Sequence, residues 1–168
     1  MFSFAPKSLY NVFVVGSQRV LMDYSGYSPD QLVDLFADKT QRNNAVRALI
    51  GGLTATELRR VHVSDAAQAA LIRGLKHGNS KVRWWCIQLL DHIADETYVA
   101  PLLAAAYTDP TPRNRRHAIH ALACEKCKPD RCRLRVDIRA DLRQMMQFDP
   151  DPSVRETARL ELAELEAA

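Results

Sequence analysis

The stretch Asp109-Pro110 … Arg115 … Ala118 … Leu122 recurs 40 residues later as Asp149-Pro150 … Arg155 … Ala158 … Leu162. A looser copy lies 32 residues upstream of the first: Val82-Arg83 … Cys86 … Leu90, with His77 in the place of the aspartate. Self-similarity at a fixed period of this size marks stacked helix pairs, none of which buries its apolar face without a neighbour. The expectation is an all-α stack that works as a surface rather than as a reaction pocket.

Working outward from these copies, the last hundred residues parse into helix pairs. Ser64-Asp65 caps a helix through Ala66, Ala70, Leu71 and Leu75, which His77-Gly78-Asn79 ends. Ser80 starts the next, with apolar residues at Val82, Cys86, Leu89, Leu90 and Ile93, the buried stripe of an amphipathic helix. Helices then follow over about 98–107, 113–125, 136–148 and 153–165, and each Asp-Pro turn stops one and pre-sets the next. Gln31 to Ala37 and Arg42 to Leu53 form a degenerate fourth pair, with Gly51-Gly52 as its C-cap. The N-terminal run Leu9, Val12, Phe13, Val15, Val20, Leu21 reads as a capping helix over the first repeat, and Val12 to Val15 is the one short strand-like run.

Pro101, Asp109 and Arg115, spaced eight and six apart, match the proline, aspartate and arginine signature of HEAT repeats. Asp149 and Arg155 repeat the last two, with Asp141 where the proline should stand. The short units resemble the HEAT-like repeats of the phycobilin lyases. That resemblance implies a right-handed superhelical α-solenoid of about four antiparallel helix pairs, at roughly 30–53, 64–94, 97–127 and 135–165; residues 1–29 lie outside it and are read from their own apolar run as a capping segment. A carboxylate six residues before an arginine can accept its guanidinium or cap the second helix, and in stacked repeats such pairs form a ladder. The alternative is an ordinary surface ion pair, worth about 0–1 kcal/mol.

The chain has 168 residues, 47% apolar and 26% charged, which fits one globular domain with a core of its own. No run is long and apolar enough to span a bilayer, and the N-terminus lacks a basic region before its apolar residues, so a cytoplasmic location and no membrane partner are expected. The net charge of +3 is uneven. Residues 112–143 carry ten Lys/Arg against four Asp/Glu, and residues 144–168 carry two against six. A basic middle beside an acidic end is a patterned surface, or simply two solvated helix faces.

The longer spacing between the second and third copies falls in Cys124-Glu125-Lys126-Cys127-Lys128-Pro129-Asp130-Arg131-Cys132. Three thiols at C-x2-C-x4-C in an inserted loop have the close spacing that structural zinc uses, and His120 or His92 is placed to supply the fourth ligand. Free thiols on a loop are the competing reading. A redox C-x-x-C is disfavoured, because Cys124 and Cys127 follow a helix C-terminus, where the dipole opposes a thiolate. Cys86 replaces the Ala118 and Ala158 of the other copies and reads as a small core residue.

No phosphate-binding glycine loop, nucleophile elbow or H-E-x-x-H occurs, and no catalytic residue is assigned. Trp84-Trp85 is the strongest enzyme-like hint, because an aromatic on the second-helix face, with Asp91 two turns on, resembles the wall of HEAT-fold DNA glycosylases. Packing of both tryptophans between repeats is the plainer account. The first functional expectation is a non-enzymatic scaffold that binds another protein on a concave second-helix face lined by Trp84, Gln88, Arg116 and His120. The second is nucleic-acid binding through the basic segment 113–143, with Arg113, Arg116, Lys126, Lys128, Arg131, Arg133 and Arg135 on phosphates. The third, a lyase or glycosylase-like enzyme subunit, rests on family analogy alone.

Overall fold

The computed structural model describes residues 11–15, 18–54, 57, 63–93, 96–124 and 137–167. Among the described residues, eight α-helices follow an N-terminal hairpin: α1 (Pro29–Asp34), α2 (Arg42–Leu49), α3 (Asp65–Gly74), α4 (Ser80–Ile93), α5 (Val99–Thr108), α6 (Pro112–Ala123), α7 (Arg139–Phe148) and α8 (Pro152–Ala167). Within pairs, α3 packs on α4, α5 on α6 and α7 on α8. Between pairs, the second helices α4, α6 and α8 pack directly on one another. The first helices α3 and α5 stand apart, and a groove of about 680 Å3 runs between them, lined by Ile72, Leu75, Ala100, Pro101 and Ala104 among others. The repeat region is an all-α solenoid.

The N-terminal segment corrects one expectation. Instead of a capping helix, β1 (Asn11–Val15) and β2 (Gln18–Met22) pair antiparallel, with Asn11 opposite Met22 and Val15 opposite Gln18. Val12-Phe13-Val14-Val15 and Val20-Leu21 are β-branched and aromatic runs that suit a pleated ribbon, and the two strands are two residues apart in sequence.

Helix starts follow the local chemistry. Ser28 caps α1 in a reciprocal box: its hydroxyl accepts from the Gln31 N–H at 3.3 Å, while Gln31 accepts the Ser28 N–H at 2.8 Å. Ser64 accepts from Ala67 at the start of α3. Pro112 and Pro152 open α6 and α8, where the absent N–H costs nothing. Gly51 and Gly52 follow α2 with φ of 67° and 76°, the left-handed backbone that a glycine stop uses.

The expected stripe on α4 is in the core, with Val82, Cys86 and Leu90 fully buried and Leu89 and Ile93 nearly so. Ala118 and Ala158 are fully buried at the matching positions of α6 and α8. Gly74 is a contact the sequence did not flag. A Cβ there would lie 2.4 Å from the Cys86 sulfur and 2.9 Å from Val33, so α1, α3 and α4 meet at a point only hydrogen can occupy.

A ladder of arginines ties the turns together, as expected of stacked repeats, and of the two roles open to the aspartate carboxylate it takes the one at the start of the second helix rather than accepting its own arginine. The aspartate six residues upstream offers its backbone carbonyl, not its carboxylate. Arg115 donates to the Asp109 carbonyl at 2.9 Å and Arg155 to the Asp149 carbonyl at 2.8 Å. Arg83 donates in the same way to His77, and Arg42 to Phe36. The carboxylate instead receives the arginine of the preceding repeat. Arg83 grips Asp109 with two bonds of 2.7 and 3.0 Å, and Arg115 grips Asp149 with two of 2.8 Å. The reason is local: each aspartate folds over its own helix start, Asp109 accepting from the Thr111 N–H and the Asn114 amide, and Asp149 from the Asp151 N–H. These rungs are buried rather than surface pairs. Arg42 is the first-repeat member, and the place of the missing aspartate is held by His77. Its guanidinium lies over the Trp85 ring, 5.6 Å from the centroid. On the first-helix side, Asp30 and Asp34 of α1 face Arg73 and His77 at 2.7 and 3.5 Å.

Candidate functional site

The exposed side of the second helices is built by stacking. On α4, Val82, Cys86, Leu89 and Ile93 occupy the core side, which turns Trp84 and Gln88 away from it. On α6, Ala118, Ile119 and Leu122 do the same and leave Arg113, Arg116, His117 and His120 outward. α8 contributes Thr157 and Glu161.

These side chains bridge from one repeat to the next. Gln88 donates its amide N–H to His117 Nδ1 at 3.1 Å. Arg116 donates to the Thr157 hydroxyl at 3.1 Å, and His120 Nδ1 pairs with Glu161 at 2.7 Å. Trp84 is half-buried, edge-on to Trp85 at 4.9 Å and to His117 at 5.5 Å between centroids. The Arg113 guanidinium covers its face at 4.5 Å. The indole N–H of Trp84 is buried and meets no acceptor among the described residues. Burial lowers the pKa of His117, the cations Arg113, His120 and Arg116 push the same way, and only Asp91 opposes. These influences favour the neutral ring, whose Nδ1 accepts from Gln88.

All four residues expected to line the groove, Trp84, Gln88, Arg116 and His120, therefore lie on one surface, each touching a neighbouring repeat. Sequence reasoning missed His117, Thr157 and Glu161. The signal was available: Trp84 to His117, Arg116 to Thr157 and His120 to Glu161 are each one repeat period plus one residue apart. Asp91 is buried beneath the same face.

Of the basic set, Arg113 and Arg116 are on this surface, while Lys126, Lys128, Arg131, Arg133 and Arg135 lie outside the described residues. Of the proposed zinc ligands, Cys127 and Cys132 likewise lie outside them. Cys124 ends α6, its N–H donating to the His120 carbonyl. Among the described residues no three His, Cys, Asp or Glu come together as a metal site. His92 sits in the last turn of α4. No described helix is long and apolar enough to cross a membrane.

A family model describing HEAT repeats matches residues 29–123, from the start of α1 to the end of α6. Repeats of this kind generally mediate protein–protein interaction. No curated protein and no solved structure matches the chain.

Proposed function

The chain belongs to the HEAT-repeat family, and from that premise we propose that it is a non-enzymatic scaffold that binds another protein on the outward face of its second helices. The observation that carries this reading is the continuity of that face. Trp84, Gln88, Arg116 and His120 follow one another across α4 and α6, and bridges to His117 on α6 and to Thr157 and Glu161 on α8 carry the face on to the next repeat. A pre-ordered surface loses little conformational entropy on binding. Close packing of the second helices, against the open groove between α3 and α5, supports placing this face on the concave side. A cytoplasmic location belongs to the same reading, in which the four cysteines serve as thiols or metal ligands rather than as a disulfide framework.

The test is capture with tagged protein and mass spectrometry, comparing wild type with Trp84→Ala. Trp84 is the large aromatic of the face, and truncating such an anchor typically costs about 2 kcal/mol or more in affinity. Loss of the captured partner with cooperative unfolding retained supports the reading. A variant that keeps its partner and loses only stability makes Trp84 a structural residue and overturns it.

For the Cys124, Cys127, Cys132 loop we propose one structural zinc ion, on ligand spacing alone, with His120 or His92 as fourth ligand. His120 would ligate through Nε2, because its Nδ1 is engaged by Glu161. Elemental analysis of protein purified without chelator should find about one zinc per chain, and a content near zero with all three thiols titrating freely refutes it.

A further inference from the structure

We propose that the partner presents an acidic peptide segment to this face, two of whose carboxylates pair with Arg113 and Arg116. The inference rests on the protein-binding reading above and gives that partner its chemistry. Arg113 and Arg116 are three residues apart on α6, with Cβ atoms about 5–6 Å apart, and from there Arg113 reaches to Trp84 on α4 and Arg116 to Thr157 on α8. Both are exposed. Among the described residues, the exposed Arg73, Arg143 and Arg159 each hold a carboxylate at 2.7 Å, while Arg47, also exposed, stands singly on α2 rather than beside a second arginine of one face. Arg113 makes only its stacking contact with Trp84 among the described residues, and Arg116 gives one N–H to Thr157. Neither meets a carboxylate there.

A guanidinium that stacks through its face keeps its N–H edge for an oxygen acceptor, and the ring beneath fixes its plane. Acids of this face are engaged elsewhere: Asp91 is 4% exposed, Glu161 pairs with His120, and Glu156, next to Thr157, is held by Arg159. The local field is correspondingly positive, since Arg113, Arg116 and His120 all act on His117 against Asp91 alone.

A short acidic segment fits this patch better than a nucleic acid. Bases need an open aromatic face, and that of Trp84 is covered by Arg113 while Trp85 and His117 meet it edge-on. A phosphate backbone continuing along the stack would next meet α8, where Glu156, Glu161, Glu164 and Glu166 outnumber Arg155 and Arg159.

Fluorescence anisotropy tests the proposal with three labelled probes: a short peptide carrying Glu-x-x-Glu, the same peptide with Gln-x-x-Gln, and a single-stranded oligothymidine. The Glu peptide should bind about tenfold or more tightly than its Gln counterpart. It should weaken by a similar factor in the Arg113→Glu/Arg116→Glu double variant and stay unchanged in Arg159→Glu. The indole N–H signal of Trp84 should shift on titration. If charge reversal unfolds the protein, Arg113→Gln/Arg116→Gln, checked by thermal melting, decides in its place. Equal binding of both peptides, indifference to both double variants, or tighter binding of oligothymidine overturns the proposal. Should the Glu peptide fail to bind while captured partners still depend on Trp84, the acidic chemistry alone is wrong. Capture that is indifferent to Trp84 removes the face itself.

Discussion

Asp109 is the residue on which most of the turn chemistry converges. It is 5% exposed and accepts four hydrogen bonds, two from Arg83 and one each from Thr111 and Asn114. Burial by itself would raise the pKa of its carboxyl; these donors outweigh burial and hold it below the ordinary value. A carboxyl lowered in the folded state stabilises fully above its unfolded value, and that contribution fades as pH falls through the folded one. Acid should therefore erode stability below about pH 4, with a shallower slope in Asp109→Asn; urea midpoints across pH measure it. Asp109→Ala, which leaves the Arg83 guanidinium buried and unpaired, should cost about 3–5 kcal/mol, and a change under 1 kcal/mol would mean that water replaces the carboxylate freely. The aspartate–arginine phrase was legible in sequence because both ends sit in one turn, whereas the carboxylate's partner lies a whole repeat away. Arg42 was missed for a related reason: no aspartate accompanies it, and only its bond to the Phe36 carbonyl reveals it as the first repeat's arginine.

At the scale of single helices, apolar periodicity was enough to place the buried faces, since Val82, Cys86, Ala118 and Ala158 are all at 0% exposure. Ala118→Leu or Ala158→Leu should overpack the approach between helices and cost about 1–3 kcal/mol each in thermal or chemical unfolding. An unchanged melting temperature in both would mean that the neighbouring helices yield. Gly74→Ala should destabilise although alanine is the better helix former, because the added methyl enters the space of the Cys86 sulfur and Val33. Composition could not announce Gly74, since its constraint comes from two other helices. The hairpin at 11–22 was read as a helix because its apolar residues also satisfy helical spacing, and a run this short does not separate the two periods.

Across the whole molecule, periodicity gave the order of the stack and already held the spacing of three cross-repeat contacts of the outward face, whereas Gln88–His117, 29 positions apart, follows no repeat spacing and needed the fold. The two layers of that stack are unequally tied. Second helices are cross-linked by buried rungs and by Gln88–His117, Arg116–Thr157 and His120–Glu161, whereas the first helices α3 and α5 leave about 680 Å3 between them. The other first-helix joints are tied, α1 to α3 by Asp30–Arg73 and α5 to α7 by Tyr107 donating to Asp141 and Gln144. A beam fastened along one edge and open at a single joint of the other has one soft point. Thermal energy should flex this protein like a leaf spring, closing and opening the wedge beside Pro101 with little stretch of the fastened edge. Spin labels at Lys76 and Ala104 should accordingly give a broader distance distribution than labels at Lys81 and Arg116. A partner bound at the proposed face would then set the bend of the whole molecule, and the strength of its grip would be read out as curvature.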